Sequence, residues 1–175
     1  MSTYSGRKVN LLNPDPDSIS IIDIAHHLSL ICRYNGACLF HYSVAQHSVL
    51  GAEYLESKGY IVAAKKFILH DAHEAYTGDI IRPLKIVLPE CFKVWADMLD
   101  ETIFKVFGTP DINMPIVKQI DNSLLVTEKN ALLLQPNMEV WKPEEGIEPL
   151  SVIIKQMQPI EAEQRFLQVY RRLYS

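Results

Sequence analysis

Between His70 and Lys85 the sequence reads "HDAHEAYTGDIIRPLK", which holds two histidines, two aspartates, a glutamate, an arginine and a lysine. These are metal-ligating, proton-transferring and anion-binding groups in one short stretch. Glu74 lies four residues after His70 and three after Asp71, a spacing that puts all three on one face of a helix. One helical turn supplies too few protein ligands for a divalent ion, so other elements must contribute. Two positions stand out. His47 is flanked by Val44, Val49 and Leu50, where a surface histidine is not expected. Asp121 has Val117, Ile120, Leu124 and Leu125 as its helical neighbours, and a carboxylate on such a face is costly unless it is paired or coordinates a cation. Each residue alone fits an ordinary hydrogen-bonded packing role. Together, His47, His70, Asp71 and Asp121 are most simply explained by one shared metal ion.

The elements that must carry these groups read as helices. Residues 1–18 contain "NPDPD" and predict a loop or short arm. Ser20 is a candidate N-cap for a first helix bearing Ile21, Ile24, Leu28 and Ile31. Gly36 breaks the next segment, and "SVAQ" at Ser43 to Gln46 is a capping-box pattern that opens a second helix running to about Lys58. Gly59 fits a helix terminus, and "IVAAKKFILHDAHEAY" predicts one continuous third helix. A short proline-bounded element follows over "RPLKIVLPE", then helices from about Cys91 to Phe107, from Pro115 to about Leu134 and from about Glu161 to Leu173, with a proline-rich loop over "QPNMEVWKPEEGIEP". No alternating strand pattern emerges, so the expectation is an all-α, compact, single-domain helical bundle.

The bulk properties bound the partners. With 175 residues, 48% hydrophobic and 22% charged, the chain can bury a core without disulfides. A net charge of -4 disfavours non-specific nucleic-acid or anionic-membrane surfaces. No apolar run approaches the length of a membrane span, and no signal-peptide centre is visible, so the expectation is cytoplasmic. Cys32, Cys38 and Cys91 form no CxxC pair and read as packing residues, as do Trp95 and Trp141. His73 reads as solvated. Of the adjacent His26 and His27, one should be buried and the other solvated.

The order His47, His70 with Asp71, then Asp121 resembles the H…HD…D signature of the HD-domain metal-dependent phosphohydrolases. "RYNG" at Arg33, "YSVAQHS" around His47 and "HDAHEAYTGDIIRPLK" resemble the bacterial 5'-deoxynucleotidases and the phage deoxyadenosine triphosphate triphosphohydrolases over roughly residues 20 to 130. The resemblance implies a bundle of the HD-domain type, with a catalytic core over about 20–134 and a C-terminal loop and helix over about 135–175. It implies that His47, His70, Asp71 and Asp121 hold one divalent ion, with Mn, Co, Zn, Fe and Mg all compatible with the donor set. Glu74 would orient or deprotonate water or protonate the leaving group, and Asp79 would contact the sugar or the water network. Arg33 would bind phosphate or ribose, and Tyr34 stands where these families often carry tryptophan. Lys85 would neutralise phosphate charge, with Arg82 assisting. The expected activity is hydrolysis of a deoxynucleoside 5'-monophosphate. The alternatives are release of tripolyphosphate from a deoxynucleoside triphosphate, or a catalytically inactive nucleotide-binding or scaffold module. A small-molecule nucleotide is the expected partner, without nucleic acid or membrane, in a possible homo-oligomer.

Overall fold

Helical periodicity along nearly the whole chain produces an all-α architecture. The structure, a computed structural model, describes residues 1–110, 114–134 and 146–175. Among these residues there are eight α-helices: α1 (Ile21–Leu30), α2 (Val44–Ser57), α3 (Ile61–Ile68), α4 (Glu74–Thr77), α5 (Arg82–Val87), α6 (Glu90–Phe107), α7 (Pro115–Leu132) and α8 (Pro159–Tyr174). Extended pairing among them is limited to two isolated antiparallel bridges, Ser2 with Lys8 and Cys32 with Ser43. Most of the expected proline-rich loop, including Trp141, lies outside the described residues. None of the described helices is long and apolar enough to cross a membrane.

The core forms around α2, which packs against α1, α3, α7 and α8. One hydrophobic cluster runs from Val9 to Leu173 and includes Ile24, Leu28, Leu55, Phe67, Leu124 and Phe166. Gly51 permits the closest approach in it. The Phe67 ring of α3 occupies the space that a Cβ at Gly51 would need, so a side chain there must displace the ring. The Phe67 ring in turn lies 4.3 Å from that of His70 and 5.7 Å from that of His47, centroid to centroid. Helix packing and site geometry therefore share one aromatic side chain. Trp95 packs against the core and donates its indole N–H to the Leu11 carbonyl at 2.5 Å, which fastens α6 to the N-terminal arm.

Helix starts follow local chemistry. Ser43 caps α2 by accepting the Gln46 N–H at 3.2 Å, but the reciprocal half of the expected box is absent. The Gln46 amide reaches instead to the Lys155 carbonyl at 2.7 Å, fastening the segment before α8 to the core. The Gln158 cap of α8, with Glu161 reaching back to it, is a complete box that the sequence reading did not identify. Both histidines of the α1 pair are half-buried and bonded, contrary to the expected buried and solvated split. His26 Nδ1 meets Glu163 at 2.9 Å, and His27 Nδ1 meets the Ala75 carbonyl at 2.8 Å, tying α1 to α4.

The main departure falls on the segment with the most chemistry. The single helix expected over residues 61–76 ends at Ile68, and Leu69–His73 is a turn before α4. The reason lies in His70. Its ring Nδ1 donates to the Phe67 carbonyl at 2.6 Å, the oxygen that would otherwise accept the Asp71 N–H in a continuing α-helix. The backbone tightens to three-residue spacing, with the Ala72 N–H on Leu69 and the Glu74 N–H on Asp71, both at 3.0 Å.

Candidate metal centre and adjoining cavity

Three elements converge on one point. His47 comes from the second turn of α2, Asp121 from the middle of α7, and His70 and Asp71 from the turn after α3. The imidazole Nε2 atoms of His47 and His70 are 3.3 Å apart, and Asp121 Oδ1 lies 3.5 Å from the first and 4.0 Å from the second. Asp71 Oδ2 lies 3.2 Å from His70 Nε2 and 3.7 Å from His47 Nε2. Ligand atoms about 2.1 Å from a common ion are separated by about 3.0 Å at octahedral angles and about 3.4 Å at tetrahedral ones. The observed spacings, 3.2 to 4.0 Å, bracket the tetrahedral value and all exceed the octahedral one. His47, His70 and Asp121 form a group able to hold a metal ion, their donor atoms all within 4.8 Å of one another. The donor set of two imidazole nitrogens and carboxylate oxygens suits a first-row divalent ion.

The protonation pattern favours that role at His70 and Asp121, whereas His47 must give up a proton to take it. A carbonyl only accepts, so the His70 Nδ1 bond to Phe67 fixes the proton on Nδ1 and turns the Nε2 lone pair toward the centre of the group. Burial lowers the pKa of His70, favouring its neutral, ligating form. Burial and Arg33 would lower His47 as well, but Glu128 and Asp121 outweigh them and hold it at about 9. Burial works to raise Asp121, yet His47, His70 and Lys118 drive it well below the usual carboxylate range. The carboxylate is therefore ionised.

Glu128 was not recognised in the sequence. It is fully buried on α7, seven residues and thus two turns after Asp121 on the same face. It accepts from His47 Nδ1 at 2.6 Å and the Tyr42 hydroxyl at 2.8 Å on one oxygen. On the other it accepts from the Tyr34 hydroxyl at 2.7 Å and Arg33 Nε at 3.2 Å. Burial would raise its pKa, but Arg33 and His47 hold it down at about 2. The bonds from Arg33 and Tyr34 anchor "RYNG", where Tyr34 and Asn35 adopt left-handed backbone with φ of 56° and 52°.

A cavity of about 720 Å³ opens beside these residues. Asp71, Glu74 and Asp121 reach it from one side, while Ala37, Leu125 and Leu133 supply apolar lining. Glu74 is nearly fully buried, with Oε1 3.3 Å from Lys85 Nζ and Oε2 without a hydrogen-bond partner among the described residues. Burial first, then the carboxylates of Asp71 and Asp79, push its pKa up to about 8. Arg82 and Lys85 project from α5, and Asp79 from the segment before it. Lys118, also missed in the sequence, pairs with Asp121 Oδ2 at 2.7 Å, and Arg82 comes within 3.8 Å of the same oxygen. Arg33 and Tyr34 line the cavity too, with Arg33 3.6 Å from Asp71.

All ten residues singled out from the sequence thus lie at the metal group or along the cavity. Their local setting differs from expectation at His70 and Asp71, which sit on a turn rather than a helix. His73 is not solvated: its Nδ1 meets Asp100 at 3.0 Å on α6. Burial opposes the charge on His73, but the Asp100 hydrogen bond outweighs it and raises its pKa.

The chain is 37% identical over 147 residues to the uncharacterized protein YfdR of Escherichia coli K12, covering 84% of this chain and 79% of that protein. It is 35% identical over 113 residues to the uncharacterized protein RCAP_rcc00048 of Rhodobacter capsulatus, covering 62% of this chain and 58% of that one. No family model matches the chain.

Proposed function

This chain belongs to the family of the uncharacterized Escherichia coli protein YfdR, and from the geometry of its own site we propose that it is a divalent-metal-dependent phosphohydrolase of the HD-domain type acting on nucleotides. The observation that carries the reading is the convergence of His47, His70 and Asp121, with Asp71 outside that group but 3.2 Å from His70 Nε2, at the edge of a cavity that also holds a buried glutamate and several cations. A bound ion would supply Lewis acidity toward a phosphoryl oxygen and lower the pKa of an attacking water.

The chain's own groups supply the rest. Glu74, pushed up to about 8 and lining the cavity, exchanges a proton with water or the leaving oxygen. Lys85 and Arg33 neutralise charge that develops on the phosphoryl group. Tyr34, its hydroxyl occupied by Glu128, offers a fixed ring to the sugar or base rather than a free donor. Ala37, Leu125 and Leu133 give the base an apolar wall. Three free cysteines agree with a reducing cytoplasm.

The leading substrate class is a deoxynucleoside 5'-monophosphate, with inorganic phosphate as product. A second reading, tripolyphosphate release from a deoxynucleoside triphosphate, is favoured by Arg82 and Lys118. These two cations crowd the outer oxygen of Asp121 and provide more positive charge than one phosphate requires. Incubation with dAMP and dATP in Mn²⁺ or Co²⁺, with products identified by phosphorus NMR, separates them. Phosphate from dAMP supports the first reading and tripolyphosphate from dATP the second. Turnover of neither, nor of any other nucleotide, refutes both and leaves a non-catalytic nucleotide-binding or scaffold module.

A further inference from the structure

The two candidate imidazole ligands are oriented by different means. His70 donates its Nδ1 proton to a backbone carbonyl, which no substitution at another side chain removes. His47 donates to Glu128, a side chain. We infer that Glu128 is a positioning residue for the metal centre, selecting the tautomer of His47 that presents Nε2 to a cation. This rests on the metal-dependent reading above.

The argument concerns which groups can reverse a hydrogen bond. Glu128 accepts on both oxygens, and its partners on one side, Arg33 Nε and the Tyr34 hydroxyl, are arranged as donors. Arg33 has no accepting atom at all. Its partners on the other side are His47 Nδ1 and the Tyr42 hydroxyl. An imidazole nitrogen and a hydroxyl can each change from donor to acceptor. A glutamine at this position has nearly the same shape but only one accepting oxygen. That oxygen must face Arg33, because an amide N–H₂ against the guanidinium sets donor against donor in a fully buried place. The amide N–H₂ then faces His47, where Nδ1 can satisfy it only by accepting. The neutral ring must carry its proton on Nε2, the atom 3.3 Å from His70 Nε2 and 3.5 Å from Asp121 Oδ1. One isosteric change therefore turns the lone pair of His47 away from the metal group while leaving the "RYNG" anchor in place.

The test is Co²⁺ binding by calorimetry and by the visible absorption of the bound ion, in wild type, Glu128→Gln and Tyr42→Phe. Tyr42 is fully buried and shares the Glu128 oxygen that faces His47, so Tyr42→Phe removes a comparable buried hydrogen bond without reversing the His47 bond. Circular dichroism establishes that each variant is folded. Glu128→Gln should bind Co²⁺ about 10- to 100-fold more weakly with an altered spectrum, the range for losing a partner that orients a ligating histidine. Tyr42→Phe should stay within about threefold of wild type, since its effect falls on stability. Wild-type affinity in Glu128→Gln, equal loss in both variants, or a wild-type protein that binds no Co²⁺ would overturn the inference. Wild-type protein that binds Co²⁺ and loses it in Glu128→Gln, yet hydrolyses no nucleotide, refutes the proposed activity and leaves the role of Glu128 standing.

Discussion

The buried wall of side chains behind the cavity, at the metal group, and the exposed wall that α5 lends to the cavity are built differently. On one side, His47 and Glu128 are fully buried, and Asp121 and His70 keep only about 15% and 14% of their side-chain surface exposed. Each has defined partners from other elements. On the other side, α5 has no buried residue, its Ile86 is 84% exposed, and its two cations extend toward the cavity from a single exposed turn. The first wall is held by packing and by hydrogen bonds whose geometry is over-determined; the second has few constraints. Groups that must hold a cation within tenths of an ångström need the first kind of support, whereas groups that meet a flexible phosphate can be carried on the second.

Breaking the buried wall should have the largest effect. Asp71→Ala removes a carboxylate 3.2 Å from His70 Nε2 and should abolish metal binding and turnover together, a loss of at least about a thousandfold in kcat/KM. Metal analysis alongside initial rates checks it. Glu74→Gln separates the two properties, because Glu74 is outside the metal group but has an oxygen with no hydrogen-bond partner among the described residues. Metal content should hold while kcat falls about 10²- to 10⁴-fold, and the limb of the pH–rate profile due to this group should vanish.

The buried wall also predicts a pH dependence. His47 is held at about 9 in the metal-free protein, so a cation must displace its proton below that pH. Apparent Co²⁺ affinity should climb about tenfold per pH unit between 7 and 9 and level off above. Stability of the metal-free fold should run the other way. The His47 contribution is complete below its ordinary value of 6.5 and lost as pH rises through about 9. Glu128, held at about 2, contributes above its ordinary 4.5, and that contribution is lost as pH falls toward 2. Calorimetric titrations and thermal melts across pH 3 to 10, a range of about seven units, read both curves.

The exposed wall should yield the smallest change. Lys85→Ala removes one cation that is 44% exposed and should raise KM about tenfold, with little effect on metal affinity. A loss of metal in this variant would erase the distinction between the walls.

Legibility in the sequence divides along the same line. Asp121 and His47 could be found because a polar residue among Val117, Ile120, Val44 and Val49 contradicts its surroundings. Helix limits at Ser43, Gly59 and Pro115 were readable because caps and breakers act locally. The break after Ile68 was not, since it depends on one side chain taking a backbone carbonyl, and "FILHDAHEAY" retains helical periodicity through it. Glu128 stood two turns beyond Asp121 on an apolar face, a visible signal, but its donors Arg33, Tyr34, Tyr42 and His47 come from distant sequence. Lys118 resembles any exposed helical lysine until the cavity is seen. His73 failed for a related reason: its partner Asp100 belongs to a helix whose packing no local pattern reports.

The central claim is that the histidine and aspartate group makes this chain a metal-dependent hydrolase. Its most direct test is phosphate release from dAMP and tripolyphosphate release from dATP by chelator-stripped protein, followed while Mn²⁺ or Co²⁺ is returned. The account predicts no release from the stripped protein and recovery that saturates as one ion binds per chain. Undiminished hydrolysis in chelator, or saturated metal binding with no hydrolysis of any nucleotide, would contradict it.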